Sequence, residues 1–136
     1  MQEKKAKWIS KEDRAFYGFE KPSTVIAKIK EIFSYSYPKK EFSEVEEVYH
    51  DVVKLFRGKF KGYRACNLAY HDFSHTTSVF VALCRLIDRY NLQHALLPVE
   101  DVKNALNAAL FHDSGYIQKI GDTKGTGAKY TLTCGT

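Results

Sequence analysis

Imidazole and carboxylate side chains recur together at two places in this chain. Tyr70-His71-Asp72-Phe73-Ser74-His75 carries two histidines four residues apart, and Leu110-Phe111-His112-Asp113-Ser114-Gly115-Tyr116 carries a His-Asp pair 37 residues after His75. Together these donors suit borderline divalent cations such as Zn, Fe, Mn or Ni. His112 follows Ala108-Ala109-Leu110-Phe111 and falls at the end of an apolar run. An imidazole at the edge of a core is costly to bury unless its nitrogens find partners, which an ion or a carbonyl can supply. A third His-Asp dipeptide, His50-Asp51, lies between Val48 and Val52 and reads as the solvated face of a helix.

The apolar spacing predicts the elements that must position these groups. After Pro22, Val25, Ile26, Ile29, Ile32 and Phe33 recur at helical spacing, with Ser23 or Thr24 as candidate caps. Ser34–Lys40 reads as a loop. Ser43-Glu44-Val45-Glu46 has the form of a capping box and opens a second helix with the face Val45, Val48, Tyr49, Val52 and Phe56, ended by Gly58 and Gly62. A third helix is expected to begin near His75 with the stripe Val79, Ala82, Leu83, Leu86 and Tyr90. A fourth begins at Pro98 or Val99 and carries Val99, Val102, Leu106, Ala109 and Leu110 into His112-Asp113. No stretch of six residues alternates cleanly at period two, so the expected class is all-α, a helical bundle over 22–120. Residues 1–21 form a polar arm, with Trp8, Phe16, Tyr17 and Phe19 able to pin it to the body, and 121–136 a Gly/Thr-rich tail or the start of a further part of the domain.

An upstream His-x-x-x-His with a later His-Asp pair resembles the HD-domain superfamily of metal-dependent phosphohydrolases. Tyr70–Val79 looks like the local motif of its cyclic-nucleotide phosphodiesterase branch, where the residue after the first histidine is usually Asn and is Asp72 here. The resemblance covers about residues 65–120. It implies His75, His112 and Asp113 as metal ligands and His71 as the general acid protonating the leaving oxygen. It also implies a divalent ion (Mn, Fe, Mg, Zn or Ni) and a small phosphorylated substrate of the nucleotide class. The family's last aspartate lies well beyond the His-Asp pair, whereas only Asp122 follows Asp113 here. Asp122 substitutes, another chain supplies the ligand, the site lacks it, or the 136 residues are a shortened version of a longer domain. The corresponding alternative is a metal-binding or regulatory HD-type domain without chemistry, and a second copy of the chain is a candidate partner.

Other patterns carry less. His71-Asp72-Phe73-Ser74-His75 approximates the His-Glu-x-x-His of zinc peptidases, but aspartate is one methylene short of the bound water. Gly121–Lys129 has the glycines of a phosphate loop without the Lys-Ser/Thr pair or a preceding strand. Tyr35, Tyr37, Lys39 and Lys40 mix rings and cations, yet no recognition-helix or zinc-finger signature accompanies them, and nucleic acid is not the expected partner.

Composition agrees with one folded unit. The chain of 136 residues is 44% hydrophobic and 27% charged, which excludes a wholly disordered or collagenous protein, and its net charge of +5 favours anionic partners only weakly. Cys66, Cys84 and Cys134 show neither disulfide-framework nor zinc-ribbon spacing and are expected to pack. The first residues are charged, with no secretory pattern, and the longest apolar run, Val79–Cys84, is far short of a membrane span. A cytoplasmic setting is the expectation.

Overall fold

The computed structural model describes residues 21–121. Among them are four α-helices and no strand of a sheet: α1 (Pro22–Ser36), α2 (Ser43–Phe56), α3 (Phe73–Gln93) and α4 (Val99–Phe111), followed by a 3-10 turn over Ser114–Tyr116. The all-α class is thus observed. The arm over 1–20 and the tail from Asp122 onward lie outside the described residues.

The helix starts differ from the expected caps. Neither Ser23 nor Thr24 caps α1, which begins at Pro22 with Lys21 as its N-cap, because proline already has the φ of a first helical residue and lacks the N–H that would need a partner. It runs on to Ser36, through what the sequence suggested was loop. The capping box does not form either. Phe42 is the N-cap of α2 and Ser43 its first turn, since the Phe42 ring is buried against Phe33 at 5.1 Å and draws the start back by one residue. Glu44 and Glu46 still lie in the first turn, where carboxylates complement the helix dipole.

The end of α2 follows the glycine signal. Gly58 adopts φ +72°, and Gly58 N and Lys59 N donate to Leu55 O and Lys54 O, the paired reverse bonds of a Schellman motif. A side chain at Gly58 would also strike Ala65 at 2.9 Å, so glycine is required twice over. From this corner the chain doubles back, with Cys66 N donating to Phe56 O, and pairs with the segment after the 3-10 turn. Arg64 N donates to Gln118 O and Ile120 N to Gly62 O, with Tyr63 and Lys119 facing each other in one antiparallel bridge.

The core joins all four helices: Ile29, Phe33, Val45, Tyr49, Val52, Phe80, Val81, Leu106 and Leu110 are all buried. Tyr49 and Phe80 stack at 5.7 Å near its centre. The stripe expected on α3 is corrected by the packing. Thr76, Thr77, Phe80, Val81, Cys84 and Asn91 face inward, Val79 and Leu83 are half-buried, and Ala82, Leu86 and Tyr90 are exposed. This helix carries two apolar stripes, and α1 and α4 cover the one that holds Phe80. Asn91 is buried because both polar atoms of its amide have a partner: it donates to Tyr37 Oη (3.0 Å) and accepts from Leu97 N (3.0 Å), while Tyr37 Oη donates to Leu97 O (2.7 Å). Those three bonds fix the α3–α4 connection and hence the direction in which α4 delivers His112.

Candidate metal centre

The two histidine motifs meet where the start of α3 faces the end of α4. Asp72 is the N-cap of α3: its Oδ1 accepts from His75 N at 2.9 Å, so the helix starts at Phe73, two residues before the expected position, and His75 projects from its first turn. Asparagine at this position would cap equally well. The same bond turns the Asp72 carboxylate to the backbone, away from the role that a peptidase-like reading would give it. His71 lies just before the cap, and its carbonyl accepts from Cys66 Sγ at 3.3 Å, a role for Cys66 that packing alone did not suggest.

At the other side α4 stops at Phe111. His112 is its C-cap, and Asp113, with φ −108° and ψ 8°, has left the helix. Adjacent helical residues cannot face one point, and this break allows both side chains to do so. His112 Nδ1 lies 2.6 Å from Ala109 O. That contact makes Nδ1 the donor and leaves Nε2 as the nitrogen that can ligate, the arrangement that a second shell imposes on a ligating imidazole.

Three histidines converge on a single carboxylate oxygen. Asp113 Oδ2 lies 2.9 Å from His71 Nδ1, 3.3 Å from His75 Nε2 and 3.2 Å from His112 Nε2. His75 Nε2 and His112 Nε2 are 3.4 Å apart. The Asp113 side chain is 9% exposed and the three imidazoles between 26% and 31%, so the group is open to solvent on one side. His71, His75 and Asp113 also place one ligand atom each within 4.8 Å of one another.

The distances separate two kinds of contact. His75 Nε2, His112 Nε2 and Asp113 Oδ2 form a nearly equilateral triangle with edges of 3.2 to 3.4 Å. A tetrahedral ion with bonds of about 2.0–2.1 Å has ligands about 3.3 Å apart, so the triangle fits one face of such a shell. His71, at hydrogen-bond distance from Asp113, stands outside that face and has Nε2 left for another group. This donor set fits a borderline divalent ion.

Two tyrosines border the group. The Tyr116 ring lies 4.5 Å from that of His71, and the Tyr70 ring 4.9 Å from that of His75. Sequence reasoning singled out neither, because an aromatic beside a histidine has no distinctive spacing. His50 and Asp51 are exposed on α2, as the sequence suggested. Asp122 and the glycine-rich stretch after it lie outside the described residues. No helix among the described residues is long and apolar enough to cross a membrane. No family model, curated protein or solved structure matches this chain.

Proposed function

We propose that this chain is a metal-dependent phosphohydrolase of the HD type, cleaving a phosphoester of a small, nucleotide-like substrate. The observation that carries the reading is the triangle of His75 Nε2, His112 Nε2 and Asp113 Oδ2, whose edges match the face of a coordination shell. In this reading those three residues would hold a divalent ion, which would supply Lewis-acid chemistry toward a water and the phosphoryl oxygens. Asp113 accepts from His71 Nδ1 and orients the ring, so that Nε2 can give its proton to the leaving oxygen. Tyr116, lying against the His71 ring, limits its rotation.

A second reading, a metal-binding domain without turnover, draws on the charge of the site. Among the described residues the cluster offers imidazoles and one carboxylate, that of Asp113, which leaves a bound divalent ion with a net positive charge. Such a site binds anions even where it does not cleave them.

The test is hydrolysis of bis-(4-nitrophenyl) phosphate and 4-nitrophenyl phosphate with added Mn, alongside elemental analysis. Turnover that is lost in His112→Ala together with bound metal supports the first reading. Bound metal without turnover of either ester supports the second. Metal content that His112→Ala leaves unchanged defeats both. In His71→Ala the expected result is retained metal with reduced turnover.

A further inference from the structure

A cleft lies beside the turn that presents His112 and Asp113. Phe111, Ser114 and Gly115 line it, whereas His112 and Asp113 between them turn to the histidine group. The cleft has a volume of about 620 Å³, within the range of small-molecule sites, roughly 300–1,000 Å³. Val52, Leu55 and Ile117 contribute its apolar floor. Two phenylalanines that the core leaves uncovered, Phe60 (39% exposed) and Phe111 (48%), stand in its walls. Tyr63 meets Phe60 edge to face at 6.0 Å. The exposed rings of Phe60 and Phe111 offer apolar surface on which a flat aromatic guest can pack.

Charge selects among such guests. Tyr63 and Lys119 face each other across the antiparallel bridge, so their side chains rise on the same face, and both line the cleft. The ammonium of Lys119 therefore stands beside the aromatic wall, suited to an anionic substituent. Asp51 of α2, also on the lining, suits a donor such as a ring N–H. We propose that this cleft is a binding site, separate from the histidine group, for a flat aromatic molecule that carries an anionic group and an N–H.

The probe is 8-anilinonaphthalene-1-sulfonate, which has fused rings, a secondary amine and a sulfonate. The expected result for the full chain is saturable one-to-one binding with enhanced fluorescence. Lys119→Glu, on an exposed residue, should weaken it at least tenfold, since it replaces a charge-assisted contact by like-charge repulsion. Gly115→Trp should remove it, because nothing lies within 4 Å of a side chain added there and the new ring would fill the cleft. His112→Ala should leave it unchanged, as should Leu86→Lys, which removes an apolar group from the outer stripe of α3. Displacement by adenosine monophosphate but not indole-3-carboxylate assigns a nucleotide as the ligand, and the converse an aromatic carboxylate with a ring N–H. Unchanged affinity in Lys119→Glu, loss in Leu86→Lys or His112→Ala, no saturable binding, or displacement by neither competitor overturns the proposal. None of these readouts requires metal or turnover, so failure here is distinct from failure of the phosphohydrolase reading.

Discussion

Replacing Asp72 separates a helix cap from a metal ligand. Its Oδ1 accepts the His75 amide at 2.9 Å at the head of the 21-residue α3. Loss of a side-chain N-cap costs about 0.5–2 kcal/mol. Removing a carboxylate from the positive end of a helix dipole costs roughly 0.3–1 kcal/mol more. Asp72→Ala should therefore destabilise the protein by about 1–3 kcal/mol, whereas Asp72→Asn keeps the acceptor and loses only the charge contribution of roughly 0.3–1 kcal/mol. In a domain of about 100 residues each kcal/mol lowers Tm by about 4–8 °C. Urea unfolding followed by circular dichroism reads the same quantity as a fall in midpoint at constant m. Mn affinity of the folded protein, measured by calorimetry, should be the same for Asp72→Asn as for the parent. An Asn variant as unstable as the Ala variant would refute the capping argument, and one that loses Mn would make Asp72 a ligand.

Other outcomes follow from the core and the histidine group. Burial, with Asp88 nearby, raises the Cys84 thiol from its ordinary 9.0 to about 12, and burial raises the Tyr49 hydroxyl as well. Between those two pH values the unfolded chain has released the Cys84 proton and the folded chain has not, so stability should fall as pH rises from 9 to 12. Cys84→Ala should flatten that decline in urea melts taken across the range, and an unchanged slope would exclude Cys84 as its source. Tyr37→Phe strands the Asn91 amide and the Leu97 carbonyl and should cost about 1–3 kcal/mol; a neutral result in denaturant melts would mean that the network is dispensable. Mn at a hundredfold excess over Kd should stabilise the fold by about 2.7 kcal/mol, reversed by EDTA and absent in His75→Ala. An equal gain in that variant would place the ion elsewhere.

Much of this arrangement was legible in the residues, and the exceptions have physical causes. The stripes of α1, α2 and α4 each have one apolar face, and their buried residues follow it. On α3 the stripe through Val79, Leu83, Leu86 and Tyr90 is as regular as the one through Thr77, Phe80, Val81 and Cys84. Only the neighbours decide between them, and spacing does not encode neighbours. The capping box failed for a similar reason, since burial of Phe42 outweighs a serine cap. The histidine motifs were visible because local spacing carries them. Their convergence on one oxygen of Asp113 depends on the break after Phe111 and on the Asp72 cap, which are tertiary and local events respectively. Tyr116 and the Phe60–Lys119 cleft come from chain crossings that no local pattern records.

The short pairing of 62–64 with 118–120 bears on how the molecule breathes. Its two backbone bonds, Arg64 N to Gln118 O and Ile120 N to Gly62 O, close a loop of more than fifty residues and, among the described residues, have no sheet beside them. Bonds this exposed open at far lower free energy than those of a helix core. Amide exchange at Arg64 and Ile120 should therefore be fast and correlated, well ahead of global unfolding. One opening would loosen the segment leading to His71 and the one leaving Tyr116 together, so a ligand that tightens either would slow exchange in both.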